Sequence, residues 1–172
     1  MNYTLHTGFR PGPNLRFADD LICCQAYLDV WPQIAVPEAL EPTIKAVSAM
    51  VDEPKPGRED WWWCDSLFMA PATFAALSQR TGDARYLAYM DTAFWDAVDY
   101  LRDPDSGLFY RDHRYIPDGT GTELREENGE KVFWSGVLAG YWLPSHACSR
   151  GCQKIIPVVS VISICLLIWQ IT

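Results

Sequence analysis

Four segments with helical periodicity, separated by short turns rich in proline and glycine, constrain the fold of this chain most. In each segment apolar residues recur three or four positions apart, the spacing that places side chains on one face of a helix. The predicted helices are 18–31, 37–51, 61–79 and 84–102. Strand signals are nearly absent before a short extended piece at 108–112. The sequence therefore predicts an all-α fold built of helical hairpins.

Two prolines fall on these helical patterns. Proline lacks the backbone N–H, and its ring clashes with the carbonyl group one turn earlier. We therefore expect the first helix to stop by Pro32 and the third helix to kink, or to break and restart, at Pro71. The turn 81–83 predicts the end of the third helix and the start of the fourth.

Charge and cysteine usage exclude some classes of protein. The 172 residues carry a formal net charge of −8 and no basic run, which argues against a nucleic-acid-binding protein. The six cysteines form no pair of CxxC motifs and have no histidine at zinc-ligand spacing. We interpret them as reduced thiols. Because 1–9 also lacks the apolar core of a signal peptide, we expect a cytoplasmic protein.

Three consecutive tryptophans, Trp61, Trp62 and Trp63, lead through Cys64 to a single carboxylate, Asp65. An indole offers a broad apolar face and one N–H donor, which suits a sugar ring. A carboxylate among such rings loses solvation, so its pKa rises toward the range useful for proton transfer. Alternatively, Asp65 caps a helix, and at least one of the tryptophans belongs to the core because successive helical positions face different ways.

Residues 14–140 resemble glycoside hydrolase family 105, the unsaturated rhamnogalacturonyl hydrolases, which are related to the family 88 unsaturated glucuronyl hydrolases. Several separate motifs occur in the family order. They are FADD at 17–20, GREDWWWCDSLFMAP at 57–71, TGD at 81–83, YL at 86–87, MD at 90–91, LFYRD at 108–112 and KVFWS at 131–135. The resemblance implies an (α/α)6 toroid of six helical hairpins with the active site at one mouth. With four clear helices, this chain is expected to be a partial toroid.

The resemblance also implies a reaction, the hydration of the C4=C5 vinyl ether of an unsaturated uronic acid at the end of an oligosaccharide. One carboxyl group protonates C4 and helps water add at C5, and the resulting hemiketal opens and releases the next sugar. Carried over by position, Asp65 is the acid/base and Asp19 is the second catalytic carboxylate, which orients the water or a hydroxyl of the sugar. Asp20 is a weaker choice for the same role. Capping of the first helix is the alternative role for Asp19 and Asp20. The family needs no metal or organic cofactor for this chemistry.

The same resemblance assigns the expected substrate contacts. Trp62, Trp63 and Trp134 are candidates for the walls of the sugar site. Either Arg111 or His113 would meet the uronate carboxylate, Arg111 more naturally through its planar guanidinium, and the sequence leaves this choice open. The expected partner is an oligosaccharide, and the oligomeric state is not predicted.

The chain departs from the family after Trp134. Gly136–Gly140 of this sequence follow Ser135 directly, whereas the family has an arginine, an asparagine and a second tryptophan there, of which the arginine and the tryptophan help to form the substrate site. We therefore divide the chain into a partial glycosidase domain, 1–140, and an apolar tail, 141–172. The tail either follows a reading-frame shift or contains a membrane anchor at 155–171. That stretch is at the lower length limit for a membrane span. An inactive fragment or a helical binding module with a membrane-prone tail is the alternative function.

Overall fold

The structure, a computed structural model, describes residues 6, 8–12, 16–34, 37–55 and 58–134. Its α-helices with described bounds are α1 Ala18–Ile34, α2 Glu41–Asp52, α3 Ser66–Met69, α4 Pro71–Thr81 and α5 Arg85–Leu101, and two 3-10 turns lie at Pro37–Ala39 and His113–Tyr115. Extended pairing within these ranges is limited to isolated bridges. The prediction of an all-α fold is confirmed.

Helix α4 lies at the centre of the packing, between α1 and α5. Its Phe74 and Leu77 side chains are fully buried, one turn apart on the same face, as an amphipathic helix requires. They belong to one core together with Leu28 of α1, Met50 of α2 and Met90 of α5. This core fixes the ends of the helices, from which the loops of the candidate site emerge.

Helix α1 does not stop by Pro32, so that prediction is wrong: the helix continues to Ile34. Proline at 32 cannot donate to the carbonyl of Leu28, one turn earlier. Arg80 of α4 takes over this role, since its Nη2 donates to the Leu28 carbonyl oxygen over 2.7 Å. A donor from a neighbouring helix therefore lets α1 pass through the proline.

The third predicted helix begins later than expected. The three tryptophans lie outside a helix, and the first helical residue is Ser66. Backbone pairing explains the difference, because Cys64 N donates to Arg111 O over 2.9 Å and Trp63 forms a bridge with Asp112. The predicted break and restart at Pro71 is confirmed, since α3 ends at Met69 and α4 begins at Pro71.

The other helix boundaries agree more closely with the sequence. The predicted helix 37–51 starts as a 3-10 turn and becomes α2 at Glu41. Helix α4 ends at Gly82, whose φ of 72° is the left-handed conformation that glycine adopts without strain. The side chain of Asp83 then accepts from Arg85 N over 2.9 Å and starts α5, which confirms the predicted turn.

A buried ion pair fixes the segment that leads to the tryptophans. Asp60 is 6% exposed and accepts from Arg16 Nη1 at 2.9 and 3.0 Å, from Tyr89 Oη at 2.9 Å and from Lys55 N at 3.1 Å. Arg16 also donates to two carbonyl groups at the end of α2. The pair thus ties the start of the site segment to α2 and α5.

A second buried carboxylate, Asp103, organises the loop after α5. It accepts from Tyr110 Oη at 2.7 Å, from Lys131 Nζ at 2.7 Å and from Ser106 Oγ at 2.7 Å. Burial works to raise the pKa of Asp103, but the hydrogen bonds from Lys131, Ser106 and Tyr110 outweigh it and hold the pKa well below its usual range. The loop therefore returns to the helices at Lys131, and the backbone that follows it reaches the candidate site.

No helix in the described part of the chain is long and apolar enough to cross a membrane. The tail 141–172, with the apolar stretch 155–171 and the proposed domain boundary, lies outside the described residues. These assignments therefore stay predictions.

Candidate active site

Asp65 is the N-cap residue of the short helix α3, but its carboxylate makes no capping hydrogen bond. Its Oδ1 instead accepts from Trp134 Nε1 over 3.0 Å. Position alone therefore fits the capping alternative, whereas the side chain faces the segment that follows Lys131. The structure brings two of the sequence-predicted site residues into direct contact.

The electrostatic surroundings of Asp65 follow from three neighbours. Partial burial raises the pKa of Asp65, the Trp134 hydrogen bond and the Arg111 guanidinium lower it, and the Asp19 carboxylate raises it. The net pKa lies above the ordinary value of 3.8. The rise expected from the sequence is confirmed in direction, with burial as its main cause.

The aromatic rings beside Asp65 form a stack. The Trp63 ring lies 5.4 Å from Phe17 and 5.3 Å from Trp62, each with an interplanar angle of 14°. Trp61 faces away from this stack and is 3% exposed in the core, against Phe74. The expectation that at least one tryptophan belongs to the core is confirmed, and Trp62 remains half-buried at the site.

Arg111 lies between two indoles. Its guanidinium carbon is 5.5 Å from the Trp63 ring centroid and 5.2 Å from the Trp134 ring centroid. Nη1 pairs with Asp112 at 3.5 Å, while the buried Nε has no hydrogen-bond partner among the described residues. The site thus holds a partly exposed cation, 27% accessible at its side chain, beside two indole rings.

His113 is exposed at the start of the 3-10 turn His113–Tyr115. The charged residues that shift the pKa of Asp65 are Arg111 and Asp19. Of the two residues that the sequence left open for the uronate, Arg111 is the one whose charge acts on Asp65.

The two acidic residues at the start of α1 are directed differently. Asp19 acts on Asp65 through its charge. Asp20 lies over Gly12, where a Cβ atom would overlap its carboxylate. The structure therefore associates Asp19 with Asp65 and places Asp20 against the N-terminal segment.

Sequence reasoning missed two features of the site. It did not include Phe17, although this residue opens the FADD motif and extends the aromatic stack. It also assigned Trp134 to the sugar alone and gave no indication of its hydrogen bond to Asp65. Phe17 could have been found from its place in the motif, whereas the Trp134 contact spans 69 residues and has no local signal.

A separate cleft of about 650 Å3 lies between α2, α5 and the loop before Trp61. Arg58, on its wall, donates to both carboxylate oxygens of Asp96 at 2.7 and 2.9 Å. Asp60, which also borders the cleft, is paired with Arg16. The cleft does not include Asp65. In the described ranges, no three histidine, cysteine, aspartate or glutamate side chains come together as a candidate metal site.

Comparison with known proteins gives a consistent result. The sequence model described as Glycosyl Hydrolase Family 88 matches residues 5–141. An unsaturated 3S-rhamnoglycuronyl hydrolase of Alteromonas sp. (strain LOR) is 34% identical over 137 residues, which cover 68% of this chain and 32% of the relative. A protein of the same name from Formosa agariphila is 34% identical over 134 residues, covering 70% of this chain and 36% of the relative. The chain spans about a third of the length of these curated relatives.

Solved structures show the same architecture. A polysaccharide lyase matches with a TM-score of 0.59 and 26% identity over 70% of this chain and 32% of its own. A glycosyl hydrolase family 88 protein from Bacteroides vulgatus matches with a TM-score of 0.60 and 23% identity over 70% of this chain and 33% of its own. The second likeness shows the fold alone and confirms the predicted partial (α/α)6 toroid. Ser135 and the glycine-containing segment after it lie outside the described residues.

Proposed function

The chain belongs to glycosyl hydrolase family 88, and from this premise we propose that its Asp65 site serves the hydrolysis of oligosaccharides that end in an unsaturated uronyl residue. The observation that carries the proposal is the position of the Asp65 carboxylate, which is held by an indole N–H beside a guanidinium group. The resemblance to families 105 and 88 agrees with this premise. Because the chain spans about a third of its curated relatives, the activity itself is the proposal.

The proposed reaction needs one group that gives and then takes a proton. Protonated Asp65 donates to C4 of the double bond, and its carboxylate then accepts a proton from the water that adds at C5. The hemiketal formed at C5 opens and releases the linked sugar. A raised pKa suits this role, because it increases the protonated fraction of Asp65 near neutral pH. Asp19, the neighbouring carboxylate, is proposed to orient the water.

The surrounding residues suit an anionic sugar. Arg111 offers the exposed part of its guanidinium to the uronate carboxylate, since guanidinium donors match carboxylate oxygens in geometry and charge. The half-buried Trp62 is proposed to face the C–H surface of the ring, with the buried Trp63 stacked against it. The names of both relatives indicate a rhamnose-linked uronide as the substrate class. His113 is exposed on the 3-10 turn and Asp20 lies against Gly12, so we assign neither of them a role in the reaction.

The test is loss of the ultraviolet absorbance of the conjugated double bond when the purified chain meets an unsaturated rhamnoglycuronyl oligosaccharide. The Alteromonas relative serves as the positive control. We expect turnover by the chain, loss of turnover in Asp65→Asn and retention in Asp105→Asn, a variant at an exposed aspartate. No turnover by the chain where the relative is active, or an unchanged rate in Asp65→Asn, contradicts the proposal.

A binding module is the second candidate function, because the chain covers only a third of its relatives. Titration calorimetry with the same oligosaccharide separates the two. Binding that depends on Arg111, without turnover by the chain, supports the binding module. Turnover that depends on Asp65 excludes it.

A further inference from the structure

Neighbouring residues hold the backbone of Trp134 in place. The backbone N–H of Trp134 donates to Phe109 O over 2.9 Å, and the ring of the preceding Phe133 packs on Tyr110 at a distance of 5.1 Å between ring centroids. Lys131, three residues earlier, is bound to the buried Asp103 over 2.7 Å. The segment 131–134 therefore lies along 109–110, and contacts outside the site fix the backbone from which the indole extends.

The indole of Trp134 is not a core side chain. It is 39% exposed, yet its N–H points to Asp65 Oδ1 at 3.0 Å and its ring faces the Arg111 guanidinium at 5.2 Å. Burial alone therefore does not account for its orientation. The two polar contacts do, and one of them is to the proposed acid/base.

The chemistry of an indole restricts what this contact can do. Its Nε1–H is a donor only, so Oδ1 of Asp65 serves as an acceptor whether the carboxyl group is ionised or protonated. In the protonated form the carbonyl-type oxygen is the better acceptor, and the O–H is then on Oδ2. The contact thus makes the two oxygens of Asp65 inequivalent.

We propose that Trp134 is a positioning residue for Asp65, which fixes Oδ1 as the permanent acceptor and leaves Oδ2 as the oxygen that gives and takes the proton. The catalytic meaning of this arrangement rests on the proposed function. The hydrogen bond and its coupling to the charge of Asp65 do not depend on that function, and both can be measured without substrate.

The first experiment is an NMR pH titration of the full chain, with 13C-labelled aspartate carboxyl groups and 15N-labelled indoles. We expect the Trp134 indole resonance to shift with the same midpoint as the Asp65 carboxyl, and this pH dependence to disappear in Asp65→Asn. In Trp134→Phe, which keeps a ring over Arg111, we expect the pKa of Asp65 to rise because the ionised form loses a donor. Trp95→Phe, which removes an indole from α5, is the matched control and leaves that pKa unchanged.

Two results overturn the positioning role. One is an indole resonance of Trp134 that does not follow Asp65. The other is a pKa of Asp65 that is the same in Trp134→Phe as in the native chain, with circular dichroism confirming that the variant is folded. Trp134→His, which restores a ring N–H donor, is expected to bring the pKa back toward the native value, and failure to do so in a folded variant also counts against the proposal.

The second experiment uses the oligosaccharide assay. Trp134→Phe is expected to lower kcat roughly ten- to hundred-fold, the range for a misplaced reacting group, and to move the limb of the pH profile that reports the acid to higher pH. A purely structural role would lower the amount of active protein without moving the profile. If the NMR coupling is present and the chain shows no turnover, positioning stands and the proposed function fails. Turnover without the coupling supports the proposed function and overturns the positioning role.

Discussion

The contact between Arg80 and the Leu28 carbonyl offers a quantitative test of how α1 passes through Pro32. The change is Arg80→Met, which removes the donor and keeps a long side chain with similar helix propensity. The hydrogen bond is 2.7 Å long and starts from an exposed, charged side chain. Hydrogen bonds from charged groups contribute about 1.5–3 kcal/mol, and since exposure to solvent weakens such contacts we expect a loss of about 1–2 kcal/mol in the free energy of unfolding.

A double-mutant cycle separates this contact from other effects of Arg80. Pro32→Ala restores the N–H that donates to Leu28 O in an ordinary helix, so Arg80 becomes dispensable for that carbonyl. In the Pro32→Ala background, Arg80→Met should therefore cost about 1 kcal/mol less than in the native background. Urea unfolding followed by far-ultraviolet circular dichroism gives the four free energies that the cycle needs.

The control for the cycle is Gln79→Met, a change at the neighbouring exposed position of α4, which should alter stability by less than about 0.5 kcal/mol. Losses from Pro32→Ala and Arg80→Met that simply add, within about 0.3–0.5 kcal/mol, would refute the reasoning. In that case the helix passes through Pro32 without help from α4.

Three further outcomes follow from buried groups. Asp60→Ala leaves Arg16 without the Asp60 carboxylate and is expected to lower the free energy of unfolding by about 3 kcal/mol. Asp96→Ala, at an exposed ion pair, should cost less than about 1 kcal/mol, and equal losses in urea unfolding would contradict this expectation. The pKa of Asp103 is lower in the folded chain than its ordinary value of 3.8. Its contribution to stability is therefore complete above about pH 5 and is lost as the pH falls through 3.8 toward the lower folded pKa, and Asp103→Asn should flatten this acid dependence of the unfolding midpoint. Burial raises the pKa of the Cys64 thiol to about 12, so a thiol reagent should modify Cys64 only in denaturant, and rapid labelling of the native chain would show that the site segment opens.

The sequence predicted a helix well where its start and end signals lie in the residues next to the periodic apolar pattern. Helix α5 lies within one residue of its prediction at each end, because its start and end are set by neighbouring residues such as Asp83. The predicted end of α1 at Pro32 failed for a different reason. The compensating donor belongs to Arg80, 52 residues from Leu28, and no local pattern reports it.

The candidate site also depends on contacts between distant residues, which a local sequence pattern does not report. Helical spacing continued through Trp61 and Trp63, but pairing with the backbone of 111–112 keeps this segment extended. The motif identified Asp65 and Asp19 as candidates, and the structure places them within electrostatic reach of each other. The donor from Trp134 could not be predicted, since it depends on how the loop after α5 returns to the helices.

The separation of Asp65 and Trp134 along the chain has a consequence for the order of folding. Their hydrogen bond closes a loop of 69 residues, whereas hydrogen bonds within an α-helix close over about four residues. Contacts between distant residues form late, because the entropy of the intervening chain is lost before the contact is gained. We therefore expect the helices to form before Asp65 acquires its partner, so that the proposed acid/base site is among the last parts of this chain to be completed as it folds.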